Sequence, residues 1–264
     1  MDETRYLTTT DGRRIAYRLD GPDDRPVLVL SNSIATDLHM WDRQVPALTQ
    51  HFRVLRYDTR GHGQSAAPNG PYSLDRLGRD VVELLDALAI ERAHFCGLSL
   101  GGFVGQWLAI NAPDRLDRLV LSNTSPYLGP APQWDDLIAT VLAAKDLSAM
   151  ADMFIGNWFP AAMLQGHADV VDEFRGMVMA TPARGLAGCF AVVRDSDLRG
   201  DLTSITVPTL VIGGKDDTVT LASHSEEIAA AIREAKLVLL PGVHMLNVER
   251  PAEFVSAVTE FLAG

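Results

Sequence analysis

The 264-residue sequence has few cysteines and no excess of positive charge. Its two cysteines, Cys96 and Cys189, lie far apart and outside any metal-ligand spacing, so we expect reduced, buried thiols. Lys and Arg number 23 against 34 Asp and Glu, which gives a formal charge of −11. Because this charge repels phosphate backbones and anionic headgroups, we expect neither nucleic acid nor a membrane as a partner.

The sequence also lacks an apolar run that approaches the roughly 20 residues of a membrane-spanning helix. Its first residues, Met1-Asp2-Glu3-Thr4-Arg5, show no basic stretch followed by an apolar one, as a signal peptide would. The histidines do not fall into HExxH or another metal-binding spacing. We therefore expect a cytoplasmic protein without a metal or cofactor, and the sequence leaves its oligomeric state open.

Short apolar runs alternate along the chain with longer segments whose apolar residues recur at helical spacing. The runs are typical of strands buried on both faces, and the longer segments are typical of crossover helices. We predict strands at 27–30, 52–57, 93–96, 119–122, 209–212 and 237–240. The pattern indicates an α/β fold with a mostly parallel sheet and helices on both faces. Near the N-terminus, 6–9 and 14–18 flank Asp11-Gly12, which favours an antiparallel hairpin at the sheet edge.

The strand pattern disappears between residues 125 and 203. Aromatic residues, Met and Ala follow one another there at helical spacings, and several prolines interrupt them. We predict that 125–203 forms a helical cap inserted into a core made of 1–124 and 204–264. The Pro- and Gly-rich passage at 123–132 is the expected first hinge of the cap.

The segment Gly97-Leu98-Ser99-Leu100-Gly101 directly follows one predicted strand and precedes a helical pattern. This strand, turn and helix context is that of a nucleophile elbow, in which small residues let the two backbones approach closely. Ser99 is therefore the candidate nucleophile. The alternative is a chance Gly-x-Ser-x-Gly in a surface loop.

A serine nucleophile needs a histidine that accepts its proton and a carboxylate that orients the histidine. Asp217 follows the predicted strand at 209–212 and is the candidate acid, with Asp216 as the fallback. His244 follows the last predicted strand and is the candidate base. Alternatively, Asp217 caps a helix and His244 is an ordinary loop histidine. For the oxyanion we expect the backbone N–H groups of Leu100 and Ser33.

Several longer stretches resemble one family. They are Leu30-Ser31-Asn32-Ser33, Arg56-Tyr57-Asp58-Thr59-Arg60-Gly61-His62-Gly63, Phe95-Cys96-Gly97-Leu98-Ser99, Asn157-Trp158-Phe159 and Asp195-Ser196-Asp197-Leu198-Arg199. With them the chain resembles the α/β-hydrolase superfamily over nearly its whole length, and within it the 3-oxoadipate enol-lactonases. Ser31-Asn32 stands where the wider superfamily usually has His-Gly, and Ile34-Ala35 departs from the Leu-Gly expected of the subgroup.

The resemblance implies a five-membered enol-lactone with an acetate arm as substrate, opened through an acyl-enzyme to a 3-oxo diacid. It leaves the residue that binds the acetate carboxylate open among the cap arginines, Arg175, Arg184 and Arg194. Trp134 and Trp158 are candidates for the pocket wall, with plain packing as the alternative. In the Arg60-Gly61-His62-Gly63 loop we expect a structural role, with Arg60 as an anchor.

Two other functions stay open at this point. One is hydrolysis or perhydrolysis of another lactone or small ester, because the shape of the pocket rather than the triad selects the substrate. The other is a small-molecule receptor that keeps the triad but turns over slowly. In each case the expected partner is a small molecule.

Overall fold

The computed structural model describes residues 3–264. Its strands are β1 Arg5–Thr8, β2 Arg14–Asp20, β3 Val27–Ser31, β4 Arg53–Tyr57, β5 Ala93–Leu98, β6 Leu116–Ser122, β7 Thr209–Gly214 and β8 Lys236–Leu240. They form one sheet in the order β1-β2-β4-β3-β5-β6-β7-β8. Strands β3 to β8 pair in parallel, whereas β1 and β2 form an antiparallel hairpin at the edge. The predicted mostly parallel sheet with its N-terminal hairpin is confirmed.

Burial explains why these segments are strands. Every residue of β5 and of β7 is buried, as expected for central strands covered on both faces. The turn between β1 and β2 contains Gly12 at a φ of +74°, a left-handed conformation that glycine adopts without strain. Cys96 and Cys189 are both buried and free, in agreement with the prediction.

The helices occupy the segments between the strands. They are α1 Val45–Leu48, α2 Leu74–Ala87, α3 Leu100–Asn111, α4 Ala131–Ala143, α5 Ser148–Trp158, α6 Ala161–Gly166, α7 Ala168–Ala180, α8 Ala183–Asp195, α9 Ala222–Ala231, α10 Leu246–Glu249 and α11 Pro251–Ala263. Helix α3 packs on β5 and β6, and α9 packs on β7 and β8. Among these helices none is by itself long and apolar enough to cross a membrane; α7 and α8 reach that length only as a pair bent by 94°.

Helices α4 to α8 all lie between β6 and β7, and we call them the cap helices. The two ends of this insertion meet, since Tyr127 and Asp197 form an isolated antiparallel bridge. Beside it the Leu198 N–H donates to the Pro126 carbonyl at 2.9 Å. We propose, on this narrow connection, that residues 125–203 form a cap and that 1–124 with 204–264 form the core.

Strand β5 and helix α3 approach each other so closely that only glycine fits between them. A Cβ at Gly97 would lie 2.1 Å from the Gly101 carbonyl oxygen, and a Cβ at Gly101 would lie 2.2 Å from the Ser31 carbonyl oxygen. Both obstacles are backbone atoms, so no side-chain rotation relieves them. The two glycines therefore fix where α3 begins relative to β5 and β3.

We expect Gly97→Ala to lower the free energy of unfolding by about 3 kcal/mol, because the added methyl forces these backbones apart. Urea unfolding followed by circular dichroism measures the change. Gly156→Ala is the matched control: Gly156 lies inside α5 with open space where its Cβ would be, so alanine stabilises the helix by about 0.5–1 kcal/mol. Equal stability of the Gly97→Ala variant and the wild type contradicts the close approach.

Candidate active site

Ser99 is the residue at which the chain turns from β5 into α3. Its φ of 57° and ψ of −114° lie in a region that non-glycine residues rarely adopt, at a cost of about 1–3 kcal/mol. Neighbouring strand and loop hold it there, since its N–H donates to the Ser122 carbonyl at 3.0 Å. The Ser99 carbonyl accepts a hydrogen bond from the Thr124 hydroxyl at 2.8 Å. The turn presents Ser99 to a cavity above the sheet.

Asp217 and His244 follow β7 and β8 and form a buried pair. His244 Nδ1 donates to Asp217 Oδ2 at 2.8 Å, and the two residues are 1% and 3% exposed. Asp217 Oδ2 also accepts from the Asn123 amide at 2.9 Å and the Thr220 hydroxyl at 2.8 Å. Because its Nδ1 is engaged, His244 leaves Nε2 for the cavity, which it lines together with Ser99.

The surroundings of Asp217 keep it ionised. Burial alone would raise its pKa, but the charge and hydrogen bond of His244, with Asn123 and Thr220, lower the pKa to about 2. The other oxygen, Oδ1, accepts the N–H groups of Val219 and Thr220, an Asx turn. Asp217 does not cap α9, whose N-terminus at Leu221 receives no side-chain hydrogen bond; it holds the loop before that helix and contacts His244.

Asp216, the fallback acid, lies elsewhere. It is exposed, and its backbone N–H donates to the Gly242 carbonyl at 3.0 Å. Of the two neighbouring carboxylates, Asp217 is the one that contacts His244. Asn123, which the sequence analysis did not single out, follows β6 and adds the donor that supports this contact.

The loop after β3 differs from the expectation at Ser33. The Ser33 N–H donates to the Met40 sulfur at 3.3 Å, and Ser33 is 1% exposed and does not line the cavity. Ile34 does line it, and its N–H donates to no group among residues 3–264. The Ser33 N–H is thus engaged with the Met40 sulfur rather than directed into the cavity, and its role at the oxyanion stays a prediction. The N–H groups that remain are those of Ile34 and Leu100, the first residue of α3.

The cavity lies between the carboxyl ends of the strands and the cap helices, and its volume is about 490 Å³. Its walls are mainly apolar. The lining residues are Ile34, Ser99, Leu100, Phe103, Leu128, Gln133, Trp134, Asp136, Leu137, Thr140, Met153, Phe154, Asn157, Trp158, Phe190, Val193, Thr218, Val219 and His244. Pockets for small organic ligands have this size and this apolar character.

Both candidate tryptophans line the cavity and also pack within the cap. Trp158 is 1% exposed and lies with its ring centroid 4.8 Å from that of Phe154. Trp134 packs on Phe190, and its indole N–H donates to the Leu128 carbonyl. Each tryptophan therefore forms part of the pocket wall and also packs within the cap, so the two interpretations from sequence do not exclude each other.

Charged groups that could hold a metal do not come together: residues 3–264 contain no cluster of three His, Cys, Asp or Glu with the required geometry. The three cap arginines lie outside the lining and bind other groups. Arg175 pairs with Asp152 at 2.7 Å, and Arg184 Nε donates to the Ala67 carbonyl at 2.6 Å.

Comparison with known proteins identifies the family to which this chain belongs. A family model described as the alpha/beta hydrolase fold matches residues 26–163. The chain belongs to the α/β-hydrolase family. It is 37% identical to 3-oxoadipate enol-lactonase 2 of Acinetobacter baylyi over 92% of this chain and 90% of that protein. It is 34% identical to a Caulobacter protein that carries the name carbamate hydrolase RutD, over 92% and 93% of the two chains.

Two solved α/β-hydrolase structures are also similar. A hydrolase from Pseudomonas aeruginosa PA01 is 62% identical, with a TM-score of 0.98 over 99% of this chain and 98% of that one. The enol-lactonase from Burkholderia xenovorans LB400 is 40% identical, with a TM-score of 0.96 over 98% and 100%. The resemblance to enol-lactonases seen in the sequence is confirmed.

In this α/β-hydrolase the loop that carries Ile34 is clamped by His62. His62 Nε2 accepts the Ala35 N–H at 2.9 Å, where Ala35 has a φ of 59°. Its Nδ1 lies 3.3 Å from the Arg60 carbonyl, to which it donates. Arg60 in turn binds Asp11 and Asp80, so the expected anchoring by Arg60 is observed. The sequence signal for His62 was its place in a glycine-rich loop, but its partner is 27 residues away.

Burial lowers the pKa of His62 from 6.5 to about 4, although the hydrogen bond to Arg60 opposes the shift. In the unfolded chain His62 binds a proton below about pH 6.5, whereas in the native state it binds one only below about pH 4. Acid therefore favours unfolding. Relative to His62→Gln, we expect the wild type to lose about 3 kcal/mol between pH 7 and pH 4. Urea unfolding of both proteins across this range measures the difference. A difference that stays constant with pH contradicts a neutral, buried His62.

Proposed function

We propose that this α/β-hydrolase is a serine hydrolase that opens a lactone ring or cleaves a related carboxylic ester. One observation supports it most. His244, oriented by the buried and ionised Asp217, lines the same cavity as Ser99 at its strained turn. A serine hydroxyl becomes an effective nucleophile only beside such an oriented base.

In the first half of the reaction, Ser99 Oγ attacks the carbonyl carbon while His244 Nε2 takes its proton. The N–H groups of Ile34 and Leu100 stabilise the oxyanion of the tetrahedral intermediate. The C–O bond of the ester then breaks, and the leaving oxygen takes the proton from His244. In a lactone this oxygen stays attached to the acyl group, so the opened chain remains in the cavity.

In the second half, His244 accepts a proton from water as the water attacks the acyl-enzyme. The intermediate collapses, Ser99 recovers its proton from His244, and the acid leaves. Asp217 stays a carboxylate throughout, since its pKa of about 2 lies far below neutral pH. The cap helices limit access of bulk water, which strengthens the hydrogen bonds at the oxyanion.

The finer hypothesis is that the lactone is 3-oxoadipate enol-lactone, in the degradation of aromatic compounds. Two relatives support it: the 3-oxoadipate enol-lactonase of Acinetobacter baylyi and the enol-lactonase of Burkholderia xenovorans. Opening of that ring releases an enol that tautomerises to a ketone. The name of a third relative favours carbamate hydrolysis as a second candidate, because a carbamate carbonyl can undergo the same attack by Ser99.

A substrate panel tests the reaction class. We expect repeated turnover on enol-lactones or esters and less on an alkyl carbamate, measured as kcat/KM. Ser99→Ala should lose at least about 10⁴-fold while keeping the wild-type unfolding curve. A Ser99→Ala enzyme near the wild-type rate contradicts the proposal. Preference for the carbamate selects the second candidate, and a single turnover per molecule selects a receptor.

The acid is tested with two neighbouring residues. Asp217→Asn should lower kcat by about 10⁴-fold, because the amide no longer holds His244 in the required tautomer. Asp216→Asn is the matched control. It should keep kcat within about twofold of the wild type, because substitutions at exposed positions usually have small effects. Both are measured at pH 8 on the best ester of the panel. The reverse order of the two effects would show that Asp216 is the acid.

A further inference from the structure

One face of α4 borders the cavity with polar side chains. Gln133, Asp136, Leu137 and Thr140 all line it, as residues at spacings of three, four and seven do on a helix. Gln133, Asp136 and Thr140 are exposed, so they surround the mouth rather than the interior. Within the lining, Asp136 is the residue that carries a negative charge.

The interior beyond this mouth is apolar. Hydrophobic side chains that are buried or nearly so line it, among them Ile34, Phe103, Met153, Phe154, Phe190 and Val193. Ile34 and Phe103 belong to the segments beside Ser99, whereas the other four lie on the cap helices α5 and α8. Each methylene group of a substrate that is buried against such a wall contributes about 0.8 kcal/mol of binding.

The arginines that could neutralise an anion are committed elsewhere. Arg194 pairs with Asp135 at 2.8 Å and also with Asp195. Asp135 and Asp136 are adjacent, yet they differ in position: Asp135 binds Arg194, whereas Asp136 faces the cavity. The positive charge of Arg194 is therefore directed away from the mouth.

A substrate carboxylate in this cavity loses its hydration and gains no charged donor from the lining, which makes its burial costly. At the mouth it also meets the like charge of Asp136. The cavity of about 490 Å³ lies within the roughly 300–1,000 Å³ of pockets for drug-sized ligands, so it accommodates an arm of several carbons.

From these contacts we infer that the site selects neutral lactones or esters with an extended apolar arm, and rejects counterparts whose arm ends in a carboxylate. This specificity rests on the proposed hydrolysis at Ser99, and it opposes the finer substrate hypothesis that the names of two relatives suggest. It makes 3-oxoadipate enol-lactone, whose acetate arm is anionic, a poor substrate compared with a neutral lactone of similar size.

A matched pair of esters tests the selection. p-Nitrophenyl hexanoate and mono-p-nitrophenyl adipate have acyl chains of equal length that end in a methyl and in a carboxylate. We expect wild-type kcat/KM to be about 100-fold higher for the hexanoate, since an unpaired buried charge is rejected strongly. It should also exceed that for p-nitrophenyl acetate by at least about tenfold, which burial of two of the four additional methylene groups already supplies. An adipate ester that reacts as fast as the hexanoate overturns the inference.

Variants then test the part played by Asp136. Asp136→Asn should raise the adipate-to-hexanoate ratio of kcat/KM by about threefold, as removal of one like charge near the surface does. Asp172→Asn, an exposed aspartate on α7 outside the lining, removes the same net charge and should leave the ratio unchanged. Equal ratios in the two variants overturn the assignment to Asp136.

The failures of the two proposals are distinguishable. If neither ester is hydrolysed, or if Ser99→Ala hydrolyses both at the wild-type rate, the proposed function fails and the inference with it. If both esters are hydrolysed through Ser99 and the adipate is preferred, the proposed function stands and the inference alone is wrong. Sodium chloride at 0.5 M should narrow the wild-type discrimination, because salt screens the charge of Asp136.

Discussion

Ser99 keeps its strained backbone because strand β5 and helix α3 meet across Gly97 and Gly101. The absence of side chains at these glycines lets the Gly101 N–H reach the Asn32 carbonyl at 3.0 Å, which joins the turn to the loop after β3. This contact holds the turn at Ser99 against the loop that carries Ile34. The position of Ser99 beside the N–H groups proposed for the oxyanion therefore depends on backbone packing rather than on any one side chain.

Two buried clamps hold the remaining groups against this turn. Asp217, fixed by donors from Asn123 and Thr220, orients His244 from the end of the neighbouring strand β7. His62 binds the Ala35 N–H and so orients the loop that contains Ile34. The residues of both clamps are buried. Exclusion of water strengthens the hydrogen bonds between them. The cap helices add apolar walls to the cavity, and Asp136 brings a negative charge to its mouth, apart from the groups around Ser99.

Much of this organisation could be predicted from sequence, because it depends on local patterns. Apolar runs in alternation with helical segments predicted the sheet, and Asp11-Gly12 predicted the edge hairpin. The motif around Ser99 predicted a turn from strand to helix, which the structure contains. The order of Ser99, Asp217 and His244, each after its own strand, predicted that they meet at one edge of the sheet, since parallel strands end there together.

The sequence by itself thus determined the fold and which residues meet at the sheet edge, whereas the tertiary structure decided where individual groups point. Ser33 and Ile34 differ by one position, and only the structure shows that Ile34 lines the cavity while the Ser33 N–H donates to the Met40 sulfur. Likewise, Arg194 turns toward Asp135 and leaves Asp136 at the mouth. Such directions arise from contacts between segments distant in sequence, which local periodicity does not encode.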